Sequence, residues 1–561
     1  MERIIECVPN FSEGRDMAII EQITQAIRSV EGVRLLDVDP GKDTNRTVVT
    51  FVGPPEAVVE GAFRGIRKAS ELIDMSKHKG EHPRFGATDV CPLVPVAGVS
   101  MEETVEHARA LARRVGQELG ISVYCYEHAA FEDKRRNLAN CRAGQYEGLA
   151  QKLADPAWKP DFGPDTLNVR SGASAIGARD FLVAYNFNLN TTSVRRANAI
   201  AFDVREAGRT LRDGKNNTGK ILRDEAGKAI KQPGTLKKTK AIGWYIEEYG
   251  QAQISMNITD ISVTPLHVAF DEVSRAAQAR GIRVTGSELV GLVPKKALLE
   301  AGRHYLRKQE RSTGVSEQEL VRVAVKSLGL DDLRPFEPRQ KVIEYLLEDD
   351  TQRRLSGMTL SAFADETASE SPAPGGGSVS AYLGALGAAL GTMVANLSAH
   401  KRGWDERWEY FSDWAEQGQR LNETLQRLVD RDTAAFDALM AAFGLPKASD
   451  EEKQARKQAI QRATLGAAEV PLEVMRLCAK SFDLLEAMAE QGNPNSVTDV
   501  GVGALAARSA VLGAFLNVRV NLSGLADRAL AERMLAEGQA LRQQAEEREA
   551  RVLALVDAKL A

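Results

Sequence analysis

The densest chemistry-bearing stretch in this sequence is Lys79-Gly80-Glu81-His82-Pro83-Arg84-Phe85-Gly86-Ala87-Thr88-Asp89. It gathers an acid, an imidazole and a guanidinium within four positions. Pro83 limits the backbone, and the glycines let it approach a ligand closely. Histidine is the natural proton carrier near neutral pH, so His82 is the first candidate acid/base group. Two polar turns at strand ends, Val8 to Gly14 and Asp37 to Arg46, are placed to converge on the same point. Such junctions commonly carry function in α/β folds, although Asn, Asp, Ser and Gly also serve there as ordinary turn and cap residues.

A second set of candidates lies in the last third. Pro372-Ala373-Pro374-Gly375-Gly376-Gly377-Ser378 immediately precedes a helical pattern, where free backbone N–H groups hold a carboxylate or phosphate. No Gly-Lys-Ser/Thr follows, which excludes a nucleotide-binding phosphate loop. Asp430 and Asp432 sit two apart inside an amphipathic helix and point roughly opposite ways, so at most one faces a pocket. Asn493, Asn495, Asp499, Asn517 and Asn521 add polar side chains in or beside apolar helices, where each needs a partner.

The elements that must position these groups follow from the hydrophobic period. Up to about Leu330, short β-rich runs alternate with amphipathic helices. Ile4 to Val8, Val33 to Val38, Thr47 to Val52, Val90 to Val96 and Ile121 to Tyr126 read as strands. Met17 to Val30, Pro55 to Ile73 and Met101 to Leu119 read as helices. After a linker with Pro156, Pro160 and Pro164 the theme restarts, with strands at Phe181 to Leu189, Ala241 to Tyr245 and Ala252 to Ile258. Between them Leu211 to Lys231 reads as a projecting hairpin or loop. Beyond Pro335 helical patterns take over: Glu406 to Phe443, Asp450 to Gln491, Val497 to Leu522 and Ala526 to Leu560. The expected fold is α/β plus all-α, with two ferredoxin-like α/β sandwich subdomains (1–178 and 179–330), a linker (331–355) and a helical bundle (356–561).

Composition narrows the class. With 73 basic and 77 acidic residues in 561, no global field recruits nucleic acid or an anionic membrane. Pro372 to Ala399 is uncharged and long, but its Ala, Gly and Ser content gains little in lipid and suits close helix packing. Cys7, Cys91, Cys125, Cys141 and Cys478 are odd in number and lack a CxxC pair, which fits a reducing compartment. The start carries acidic residues and no apolar core segment, so a cytoplasmic location is expected.

Taken together, the motifs resemble the formimidoyltransferase-cyclodeaminase family over essentially the whole chain. Glu6 to Gly14, Gly80 to Asp89, Pro160 to Pro164, Gly243-Trp244-Tyr245 and Val290 to Pro294 are similar to its transferase part. Ala373 to Ser378, Asp432 with Ala435-Phe436, and Asn517 to Leu522 are similar to its cyclodeaminase part. The resemblance implies a bifunctional folate enzyme of histidine breakdown. One half transfers the formimino group of N-formimino-L-glutamate to tetrahydrofolate, and the other closes the adduct with loss of ammonia. It implies His82 and Asp432 as catalysts, with Asp430 the alternative to Asp432. Substrate or folate contacts are expected at Asn10, Asp39, Arg46, Glu81 and Arg84, along Gly163, Pro164, Asp165, Thr166, Leu167, Asn168, Val169, Arg170, Ser171 and Gly172, and at Gly376, Gly377 and Ser378. Polyglutamylated tetrahydrofolate as co-substrate, no metal, and a homo-oligomer complete the expectation. The alternative within the enzyme class is formyl transfer with a cyclohydrolase-like helical half, and outside it a helical half that only oligomerises. Leu211 to Lys231 is longer than the resemblance implies.

Overall fold

Pro9 has no N–H to give a sheet, and it interrupts what would otherwise be one strand. The chain therefore runs as β1 (Ile4–Cys7) and β2 (Asn10–Phe11), both paired with β4 (Arg46–Gly53) on one side and β5 (Thr88–Ala97) on the other. Asn10 bridges the break by donating its Nδ2 to the Val8 carbonyl at 2.8 Å. This is a computed structural model, and it describes residues 3–42, 45–80, 84–214, 219–347 and 355–561. Glu81 and His82 lie outside the described residues.

Among the described residues the first sheet has seven strands. β3 (Arg34–Gly41) lies beyond β4, and on the far side of β5 come β7 (Ala173–Ala178) and β6 (Ser122–Glu127), both in parallel pairing. The helices α1 (Met17–Arg28), α2 (Pro55–Leu72) and α3 (Met101–Leu119) cover one face. Each is amphipathic, and its apolar stripe meets Ile5, Cys7, Phe51, Cys91 and Val123 in a shared core. Ser100 and Glu103 form a capping box at the start of α3.

The second sheet repeats the same logic. β8 (Val183–Leu189), α4 (Val194–Val204), β11 (Thr239–Ile246), β12 (Gln251–Ile258), α5 (Leu266–Gln278) and β13 (Val284–Val290) follow in sequence, and the strands lie in the order β11-β12-β8-β13, all antiparallel. In the first sheet β3-β4-β1-β5 is the same arrangement of second, third, first and fourth strand. Between α4 and β11 the short strands β9 (Arg209–Thr210) and β10 (Lys231–Gln232) pair antiparallel. Bridges Arg212↔Ile221 and Arg223↔Ala229 continue a hairpin outward from them.

The chain divides into two compact units, Met1–Ala297 with Leu328–Leu346, and Leu298–Ser327 with Leu347–Ala561. The segment 298–327, grouped by its sequence pattern with the second subdomain, gathers with the helical unit. There Thr313 N–H donates to Ser412 Oγ at 3.0 Å and Asn396 Nδ2 donates to the Gly314 carbonyl at 2.8 Å.

The helical unit is built from α6 (Gly376–Ala399), α7 (Trp408–Phe443), α8 (Asp450–Gln491), α9 (Val497–Leu522) and α10 (Arg528–Leu560). α6 and α9 are long and apolar enough to cross a membrane, yet most of the apolar stretch of α6 is buried among its neighbours. A side chain at Gly384 would meet Cys478 Sγ at 2.4 Å, so α6 and α8 touch almost backbone to side chain. Pro471 sits inside α8 and removes the N–H that would bond the Ala467 carbonyl. Asn521 of α9 supplies the missing donor, its Nδ2 lying 2.6 Å from that carbonyl. One half of the polar pair Asn517/Asn521 is thereby spent on the fold.

Candidate functional site

In the first unit, the ends of the Lys79-to-Arg84 segment are tied to the polar turns. Asn45 has a left-handed backbone (φ 47°), which a short amide side chain tolerates. Its Oδ1 accepts from Gly14 N–H at 3.0 Å and its Nδ2 donates to the Lys79 carbonyl at 3.0 Å. Ser12 Oγ donates to the Gly86 carbonyl at 2.8 Å, and Ser12 N–H to that of Ala87 at 2.9 Å. The turns after β1/β2 and before β4 therefore meet the segment that flanks His82.

Arg84 closes the other end. Its guanidinium grips Glu147 with both terminal nitrogens, at 3.0 and 2.8 Å, and donates from Nε to His78 Nδ1 at 3.3 Å. Because His78 Nδ1 accepts, its Nε2 carries the proton and donates to the Asn45 carbonyl at 2.8 Å. Burial holds the His78 pKa below its ordinary value, and the Arg84 charge adds to this. A protonated His78 would turn N–H against N–H, so the bond from Arg84 belongs to the neutral ring. Lys79, Gly80, Arg84, Gly144, Gln145 and Glu147 line an open cavity of about 510 Å³.

The 163–172 loop reaches the same place by its second half. Gly86 and Gly172 form a bridge, Ala87 N–H donates to the Ser171 carbonyl at 2.8 Å, and Tyr146 Oη donates to the Val169 carbonyl at 2.6 Å. Gly172 has φ 65°, and a Cβ there would stand 2.2 Å from the Phe85 carbonyl oxygen, so only glycine fits. Asn168 Oδ1 accepts from Ser171 N–H, and Arg170 donates to the Glu71 carbonyl. The first half runs along β6: Pro164 O accepts from Ser122 Oγ at 2.6 Å, Gly163 leaves no room beside the Ile121 carbonyl, and Leu167 packs against the core cluster that contains Phe85 and Tyr124. Asp165 and Thr166 are exposed.

Arg46 starts β4 within the field of Asp89, the carboxylate that Arg142 and Phe85 N–H engage. Burial pushes the Arg46 pKa down to about 10, so it stays cationic at neutral pH. Asn10 lies between Val48 and Val90 in the sheet. Asp39 stands exposed on β3 opposite Val48 and, among the described residues, makes no hydrogen bond to the cluster. Sequence reasoning did not single out Tyr146, Glu147 or Arg142. The one signal was the glycine-flanked polar turn Gly144-Gln145-Tyr146-Glu147-Gly148, which looks like any surface loop until the fold brings it beside Arg84.

In the helical unit, α6 begins on Gly375, whose missing side chain leaves the first N–H groups without a cap of their own. Asp432 of α7 takes that part from outside the helix. Ser378 donates to it from Oγ (to Oδ2, 2.9 Å) and from its backbone N–H. Burial raises the Asp432 pKa above its ordinary 3.8, and the Ser378 bonds oppose this. A Cβ on Gly377 would stand 2.2 Å from Asp432 Oδ1, and one on Gly376 3.4 Å from Asn517 Nδ2, so α7 and α9 both close on the glycine loop. Asp430 has a different occupation: Oδ1 accepts from Leu355 N–H at 2.7 Å, and Oδ2 accepts from Ser356 Oγ.

Gly377→Ala is therefore expected to destabilise the helical unit by about 1–3 kcal/mol, the usual cost of forcing a methyl into packed space. Urea unfolding followed by helical circular dichroism measures it, and an unchanged midpoint would show that Asp432 yields freely.

Such a site offers a buried carboxylate with a raised pKa at a helix start, suited to moving a proton. The first unit offers Lys79 and Arg84, described residues that flank His82 in sequence, each tied into the polar cluster. Comparison with known proteins agrees with two separate activities. A formiminotransferase N-terminal subdomain description matches residues 4–179, a formiminotransferase domain 184–348, and formiminotransferase-cyclodeaminase 359–540. The mouse protein named formimidoyltransferase-cyclodeaminase is 43% identical over 560 residues, covering 100% of both chains. A glutamate formimidoyltransferase from Thermoplasma acidophilum is 42% identical over 54% of this chain and 92% of its own. A methenyltetrahydrofolate cyclohydrolase from Methylorubrum extorquens is 45% identical over 32% of this chain and 86% of its own. With end-to-end identity to the mouse protein and all three family descriptions in order along it, the chain belongs to the formiminotransferase-cyclodeaminase family.

Proposed function

We propose that this chain transfers the formimino group of N-formimino-L-glutamate to tetrahydrofolate and then closes the adduct to 5,10-methenyltetrahydrofolate with release of ammonia, as a step in histidine degradation. The observation that carries the reading is Asp432 buried against the glycine start of α6, on a chain whose full-length relatives are named for both activities.

In the first step the folate 5-nitrogen adds to the formimino carbon. His82 moves protons so that the glutamate nitrogen leaves as a neutral amine. Arg46, buried in the field of Asp89 and cationic at neutral pH, and Arg84 are the guanidinium groups that could meet a substrate carboxylate. The Gly163 to Gly172 loop, joined to the Arg84 segment, receives the folate. In the second step the folate 10-nitrogen attacks the same carbon, and Asp432 carries the proton from that nitrogen to the departing one. Both steps are addition and elimination at an amidine-like carbon, and acid/base groups alone suffice for that chemistry.

The strand orders β3-β4-β1-β5 and β11-β12-β8-β13, each from a β-α-β-β-α-β sequence, support a ferredoxin-like reading of both α/β subdomains. Exposed Leu386 and Leu397 on α6 and Leu516 and Val520 on α9 support a homo-oligomer. Buried, unpaired cysteines are in keeping with a cytoplasmic location, and a polyglutamylated folate is the expected cellular co-substrate.

A second reading is favoured by the cyclohydrolase relative: a helical half that interconverts methenyl and formyl folate with water. Purified protein given tetrahydrofolate and N-formiminoglutamate separates the two. Methenyl-folate absorbance rising in step with free ammonia is the expected result. Transfer without ammonia would overturn the cyclodeaminase step in favour of the hydrolase.

A further inference from the structure

Thr433 and Ser378 are buried hydroxyls next to Asp432, and neither is accounted for by packing alone. Ser378 is 0% exposed and Thr433 6%. Their oxygens lie 3.3 Å apart, and Ser378 Oγ lies 2.9 Å from Asp432 Oδ2. A hydroxyl has one proton to give. Ser378 gives its proton to the carboxylate, so the contact with Thr433 is donated by Thr433.

We propose that Thr433 and Ser378 form a two-link hydrogen-bond chain that fixes Oδ2 of Asp432, so that Oδ1, which accepts from no side chain among the described residues, takes up and returns the proton of ring closure. This rests on the cyclodeaminase reading of the helical unit. Among the described residues no other side chain donates to Asp432. The direction of the chain does not change when Oδ1 is protonated, because Oδ2 still accepts. The carboxylate can therefore cycle between its two states without turning. The step balances. The 10-nitrogen forms its bond to the formimino carbon and passes its proton to Oδ1. The formimino group enters as its amidinium cation, with two hydrogens already on the exocyclic nitrogen, so the proton returned by Oδ1 completes ammonia, and the carbon–nitrogen bond breaks to leave the cationic methenyl product. Ser378 and Thr433 are positioning residues in this scheme, since they act through Asp432.

The surroundings make the chain measurable. The Asp432 shift arises from burial and from its bonds to Ser378, with no charged neighbour contributing. Removing the Ser378 hydroxyl takes away a bond that favours the ionised form, so the acid limb of closure must move to higher pH.

The test uses the full-length protein and 5-formiminotetrahydrofolate, following ammonia and methenyl absorbance, with the transfer reaction as a control on the same chain. Ser378→Ala is expected to lower kcat of closure by about 10- to 100-fold, the range for a lost hydrogen bond to a charged group, with KM little changed and the acid limb raised. Thr433→Val is expected to lower it by about 3- to 10-fold, and Thr433→Ser to restore most of that loss. Wild-type kcat and an unmoved acid limb in Ser378→Ala would overturn the relay. So would a raised KM at unchanged kcat, which would make Ser378 a folate contact instead. Should Ser378→Ala misfold, Thr433→Val against Thr433→Ser decides, and equal rates in those two overturn the proposal. Absence of ammonia from the wild-type protein would instead sink the functional reading beneath it.

Discussion

Asp432→Asn is expected to stop ring closure by at least about 100-fold while leaving formimino transfer intact, so that 5-formiminotetrahydrofolate accumulates. The amide keeps the shape and can accept from Ser378, but it cannot carry a proton. The assay is methenyl absorbance and ammonia in the variant against consumption of N-formiminoglutamate. Full closure by the variant would leave the helical half without its catalyst and return it to a role in assembly. The same substitution carries a stability signature with a definite sign. The folded carboxylate has its pKa raised by burial, so ionising it opposes folding. That penalty is absent below the ordinary value of 3.8, grows as the pH rises through the folded value, and is complete above it. The variant should therefore equal the wild type in acid and exceed it at neutral pH. Urea midpoints at the two extremes read the difference. An activity lost together with stability at neutral pH would point to damage, not to a removed proton carrier.

His82→Ala is expected to lower transfer by about two orders of magnitude or more, with closure of supplied 5-formiminotetrahydrofolate unchanged. Asn45 holds Lys79, and His78 and Glu147 hold Arg84, on either side of His82 in sequence. KM for folate should accordingly stay within a few-fold of wild type, and the loss should appear in kcat. A large rise in KM with kcat preserved would make His82 a binding residue and move the acid/base role elsewhere. The two variants act on different units, so mixing their half-reactions in sequence distinguishes them cleanly: each should supply the activity the other lacks.

Much of this architecture is written in local pattern. The short apolar and β-branched runs of β4, β5 and β6 and the stripes of α1, α2 and α3 are present in the sequence because a buried strand or an amphipathic helix needs them whatever its neighbours. The long helices α7 to α10 begin and end within a few residues of where apolar period and Gly/Pro punctuation place them. The motifs around His82 and Asp432 were legible for a related reason: glycines, a proline and titratable groups packed into a few positions have few structural uses.

Pairings between distant segments were not legible. Whether Asp430 or Asp432 faces the glycine loop depends on which way α7 is turned against α6, a rotation that spacing alone leaves open. Packing decides it by giving Asp430 to Leu355 and Ser356, and Asp432 to Ser378. Arg84 looked in sequence like a free grip for a carboxylate, but Glu147, sixty-three residues on, already fills it. Asn517 and Asn521 are four apart in one motif. Only the tertiary structure separates them, because Pro471 on another helix leaves a carbonyl that Asn521 can reach. By itself the sequence determined the elements and the chemical groups on offer, since those depend on short-range sterics and on burial of an apolar face. Which donor meets which acceptor was decided by the tertiary structure, because a buried polar group must be satisfied by whatever the fold brings within 3 Å or so.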